Sequence, residues 1–184
     1  MATKMMGQGI QTADGRAIEF TLPDPASTAA ATIEAAFEYS ARKMHVDDVE
    51  TVPSMLRAGR ADARGYFEYA LARELAEHIG ALDGEVQGVY LYDPEATTDD
   101  IVFAEFPVTL VHLVIWARRK TGALSSLLDG LDRAVTAEFA NRVGNKQTSL
   151  LDFQVVDDAE VNSRTGFGAM LAWVHNRPLM VWKR

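Results

Sequence analysis

The stretch 107–160 limits the fold of this chain more than any other. It reads as an apolar run (VTLVHLVIWAR), a short basic turn (RKTGA), a long amphipathic segment (LSSLLDGLDRAVTAEFANRV), a second turn (GNKQT) and a second apolar run (SLLDFQVV). A helix over 123–143 is roughly 31 Å long at about 1.5 Å per residue. A strand over 108–118 is roughly 36 Å long at about 3.3 Å per residue. Matching lengths with short loops return the chain to the start of the first strand. The two strands are therefore expected to run parallel, joined by a right-handed β-α-β crossover over about 108–156. Leu124, Leu127, Leu128, Leu131, Val135 and Phe139 form the face that packs on the sheet. Ser125, Asp129, Asp132, Arg133 and Thr136 face water, and Gly144 ends the helix.

The rest of the chain supplies a second layer. Over 9–22, Asp14-Gly15 fits a tight turn, and Ile18, Phe20 and Leu22 alternate with polar neighbours, which predicts an N-terminal hairpin. Asp24 with Pro25 opens a helix whose apolar stripe is Ala29, Ile33, Ala36, Phe37, Ser40 and Met44. Pro53 opens a brief helical piece. A longer helix is expected over 62–79, with Phe67, Leu71, Leu75 and Ile79 as its seam and Gly80 as its terminator. Strands are expected over 85–92 and 179–182. A polar loop covers 93–100, followed by an extended stretch over 101–106. Residues 158–174 fit either a helix, which Gly166 and Gly168 weaken, or a strand ending at His175. The expected fold is one α/β or α+β domain over 1–184. A mainly helical layer over 24–82 packs on a mixed sheet formed within 85–184.

Composition narrows function by exclusion. With no cysteine, neither disulfides nor thiolate metal sites are available, which fits a cytoplasmic protein. The opening MATKMMGQG lacks the apolar core of a signal peptide. The most apolar run, 108–117, is far shorter than the ~20 residues of a membrane span, so a soluble protein is expected. The net charge of −8, from 26 acidic against 18 basic residues, opposes binding to nucleic acid or anionic lipid.

Parallel strands tend to present ligands at their carboxyl ends. That edge would carry Arg118, Arg119, Lys120, Thr121 and Gly122, beside the positive end of the crossover helix, a setting suited to phosphate or carboxylate. Asp157 and Asp158, at the end of the second strand, have the hard oxygen ligands that Mg²⁺ takes. The competing reading makes the basic run a solvated strand end and the aspartates helix caps, Asp158 above all. His112 shares a strand face with Val108, Leu110, Val114 and Trp116. It reads as a hydrogen-bonded, half-buried side chain, or as a pocket acid–base group if that face lines a cavity. Trp116, Trp173, Trp182, Tyr90 and Tyr92 read as core, with an aromatic pocket as the alternative. Glu74 and His78, one helical turn apart, fit a surface pair. A phosphate-binding loop, a dinucleotide fingerprint, a calcium loop and a nucleophile elbow are all missing their defining residues.

Three functions remain: a non-catalytic binding or regulatory domain for a small anionic molecule, a Mg²⁺-dependent enzyme acting on a phosphorylated small molecule, and a structural homo-oligomer built through the alanine-rich helices.

Overall fold

A computed structural model of the chain describes residues 24–92, 111–144, 148–173 and 177–184. The expected hairpin over 9–22, the loop over 93–100 and the extended stretch over 101–106 lie outside the described residues. So do the first residues of the strand expected from 108.

Helix α1 (Pro25–Met44) begins as its sequence dictates, with Pro25 at the first position and the Asp24 carboxylate accepting from the Ala26 N–H. Its stripe from Ala29 to Ser40 is buried. The buried hydroxyls of Thr32 and Ser40 donate to the carbonyls of Thr28 and Ala36, so no polar group is stranded. Helix α2 (Thr51–Arg57) holds Pro53 in its first turn.

Helix α3 (Ala61–Leu82) continues past Gly80, which corrects the expected terminator. The glycine is there for proximity: a Cβ at Gly80 would lie 2.3 Å from the Trp182 ring. Phe37 of α1 stacks on Phe67 of α3 at 5.4 Å between ring centroids, and Phe67 meets Phe139 at 5.3 Å.

The sheet has the order β3-β2-β1-β4. Strand β1 (Val86–Tyr92) runs antiparallel to both β2 (Val111–Ala117) and β4 (Leu179–Lys183). Strands β2 and β3 (Leu151–Val156) are parallel and joined by α4 (Gly122–Val143), the expected crossover. Gly144 takes the left-handed conformation, φ 75°, that ends α4. Thr136, expected on the wet face, is buried. Its hydroxyl donates to Asp132 and accepts from the Leu150 N–H, while Asp132 also accepts from the Leu151 N–H. These bonds fix where β3 starts relative to α4, and so its register against β2.

Among the described residues the fold is thus α+β: helices packed on one four-stranded mixed sheet. Helices α1, α2, α3 and α4 and one sheet face share a continuous core that includes Val89, Leu113, Ile115 and Leu151. A smaller cluster of Tyr90, Val114, Val156 and Leu171 lies on the other face. That face is covered by α5 (Asp158–Ser163) and a 3-10 turn (Gly166–Ala172). Residues 158–173 are therefore neither one helix nor a strand. Arg164, at φ 55°, ends α5, and Gly168 lies against the Glu160 backbone, where a Cβ would come within 2.5 Å of the carbonyl oxygen. Among the described residues, no helix is long and apolar enough to cross a membrane.

Candidate functional site

The carboxyl ends of β2 and β3 lie side by side, with Trp116 opposite Val156, so the basic run and the acidic pair do come out at one edge. Their side chains are largely engaged with the protein. Arg119 donates to Glu85 at 3.3 Å, and Lys120 pairs with Glu160 at 2.7 Å. The bond from Arg119, with the charges of Arg119 and Arg118, holds the Glu85 carboxyl below its ordinary range. Thr121 caps α4, its hydroxyl accepting from the Leu124 N–H at 3.1 Å, and Gly122 is exposed.

Asp157, not Asp158, caps α5. Its carboxylate accepts from the Glu160 N–H at 2.9 Å while Glu160 accepts from the Asp157 N–H at 3.0 Å, a reciprocal box. Asp158 accepts the Trp116 indole N–H at 2.7 Å. Mg²⁺ would compete with both sets of contacts. Among the described residues, no group of three or more His, Asp or Glu is placed to hold a metal ion. Arg118 is exposed, and its side chain has no ion-pair partner among the described residues.

A second constellation sits on the sheet face opposite the main helices. Alternation puts Tyr90 and Tyr92 of β1, His112, Val114 and Trp116 of β2, and Asp152, Gln154 and Val156 of β3 on that face. The pairing arranges them in rows across the sheet: Tyr92, His112 and Asp152, then Tyr90, Val114 and Gln154, then Trp116 and Val156. The last row, tied to Asp158, is the end packed near α5. The first row is polar. His112 Nδ1 lies 2.9 Å from Asp152 Oδ2, the Gln154 amide donates to Asp152 Oδ1 at 3.0 Å, and the Tyr92 and His112 rings meet edge-on at 6.1 Å. With Nδ1 engaged, Nε2 is the imidazole's remaining polar atom.

Tyr90 is buried between these rows, and burial pushes its phenol up from the ordinary value. The positive charge of Arg177 partly opposes that shift. The aromatic residues divide between faces. Trp182 packs with the helices, Trp116, Tyr90 and Tyr92 lie on the opposite side, and Trp173 is exposed. His78 is half-buried on α3, where Glu74 pairs instead with Arg73. His175 lies outside the described residues.

Sequence reasoning found His112 but not Asp152, Gln154 or Arg177. Asp152 could not be assigned from alternation alone, because its place opposite His112 follows from the register of β3 against β2. Comparison with known proteins finds no family model, curated protein or solved structure that matches the chain.

Proposed function

We propose that this chain is a small-molecule-binding domain that holds an anion-bearing ligand at the polar Tyr92–His112–Asp152 row of the sheet face opposite the main helices. His112 and Arg177 meet the ligand's charge, and Tyr92, only partly buried, supplies aromatic surface. The observation that carries the reading is the His112–Asp152 pair. Asp152 fixes the imidazole through Nδ1, so Nε2 is held in one orientation and donates to an anion when the ring is protonated. Aromatic surface with a few oriented polar groups is the usual composition of a small-molecule site.

A thermal-stability screen against phosphates, nucleotides and aliphatic and aromatic carboxylates tests this. A ligand at 100 times its Kd raises stability by about 2.7 kcal/mol. The shift should disappear in His112→Gln and shrink in Arg177→Ala while surviving in Arg118→Ala. A second reading keeps the ligand at the strand ends, and the exposed Arg118, with no ion-pair partner among the described residues, favours it. The opposite pattern, loss in Arg118→Ala with His112→Gln unaffected, selects that reading. If no compound shifts the midpoint, both fail.

A further inference from the structure

The outer surface of the helical layer carries a groove of about 470 Å³, lined by Tyr39 of α1 and by Ala61, Asp62, Gly65, Tyr66 and Tyr69 of α3. The groove is shallow and widely open to solvent. Two independent features mark it as more than a seam between helices.

The first is Gly65. It lies inside α3, where glycine is less favourable than alanine. Gly80 in the same helix is required by the Trp182 ring, but a Cβ built at Gly65 meets nothing within 4 Å. No packing contact among the described residues calls for a glycine there. What the missing side chain does is bare the helix backbone and deepen the groove.

The second is the chemistry of the lining. Tyr39 and Tyr69 lie 5.7 Å apart at 45°, Lys43 and Arg73 lie over the Tyr39 ring, and Tyr66 is 38% exposed, so Tyr66 is the ring surface that a flat molecule can stack against. Most of the nearby charges are matched. Arg60 holds the Asp62 carboxylate, Arg64 pairs with Glu68, and Arg73, 5.4 Å from the Tyr39 centroid, pairs with Glu74 at 2.6 Å. Lys43 differs. Its ammonium lies 5.5 Å from the Tyr39 centroid and has no carboxylate partner among the described residues. Aromatic surface beside one unmatched cation complements an aromatic anion.

We propose that this groove is a second binding site, distinct from the His112 row of the sheet, for a small planar aromatic molecule bearing one carboxylate. The ring lies against Tyr66 over Gly65, and the carboxylate is met by Lys43.

The test is a heteronuclear NMR titration of the full chain with 2-naphthoate, 2-naphthylmethanol and cyclohexanecarboxylate. These probes present ring and charge, ring alone, and charge alone. The expected result is that naphthoate perturbs amides around 39–43 and 61–69 most strongly, naphthylmethanol does so more weakly, and cyclohexanecarboxylate does not. Lys43→Ala should weaken naphthoate several-fold and leave naphthylmethanol unchanged. Gly65→Leu should abolish both responses while melting no lower than the parent chain, because leucine is the better helix former and the space is open. If Gly65→Leu melts lower, Gly65→Ala with Tyr66→Ala takes its place, and both responses should weaken. Naphthoate shifts that are absent, that centre on Tyr92 and His112, or that survive filling at Gly65 overturn the proposal. Because His112 takes no part, failure here leaves the reading of the His112 row standing, and the converse holds.

Discussion

His112 and Asp152 face each other directly across the parallel pair β2–β3, with Nδ1 2.9 Å from Oδ2. Opposed positions on one sheet face are close enough for a direct side-chain contact. Gln154, on the same strand and face as Asp152, takes the other carboxylate oxygen. The carboxylate is thereby fixed, and so is the imidazole it holds.

Tyr90 reports on the same face. Its folded-state pKa is raised by burial, so the stability it contributes is fully present below the unfolded tyrosine value of about 10 and is lost as pH rises through the higher folded value. In an absorbance titration, one of the five tyrosines should ionise late, and Tyr90→Phe should remove that step. Arg177→Ala should move it later still, since that cation favours the phenolate. An unchanged late step in Arg177→Ala would separate Arg177 from this site.

Gly80→Ala should destabilise the protein by about 1–3 kcal/mol, the usual cost of overpacking. This runs against the gain that alanine brings to a helix interior. The loss comes from the Trp182 ring, which a Cβ at Gly80 would strike. Trp182→Leu should make the second substitution far less costly in a double-mutant cycle by chemical denaturation. Strict additivity would show that the contact is not the cause.

Asp157→Ala should cost about 1 kcal/mol through loss of the α5 cap. The loss should be the same with and without Mg²⁺, because the carboxylate serves the helix backbone. A loss seen only in the presence of Mg²⁺ would instead support the magnesium reading of the Asp157–Asp158 pair.

Phe139→Ala should be the most damaging of these changes, at about 3–5 kcal/mol. Phe139 is 1% exposed and is the α4 member of the ring series Phe37, Phe67 and Phe139 that joins three helices. Urea unfolding measures it. A loss below about 1 kcal/mol would mean that the core refills around the gap.

The crossover was legible because it is local. The apolar face of α4, its Gly144 stop and the flanking strands all lie within one stretch of sequence, and their lengths must match. Gly80 was misread because a glycine near a helix end serves either as a stop or as a point of close approach. Here the deciding residue, Trp182, comes from the far end of the chain. Asp158 was expected to cap α5, but β3 ends at Val156, so that task falls to Asp157 and leaves Asp158 for the Trp116 indole. The candidate site was half visible. His112 could be placed on a face from alternation alone, but its partner depends on register between parallel strands. That register is set by Thr136 and Asp132 holding the start of β3, and no periodicity reports such contacts.

The most direct test of the central claim is a chemical-shift map of the parent chain with the strongest small anion from the stability screen. The account predicts perturbations concentrated at Tyr90, Tyr92, His112 and Gln154, with the His112 imidazole signals moving on binding. Perturbations confined to Arg118–Gly122, with the His112 imidazole signals unmoved, would contradict it.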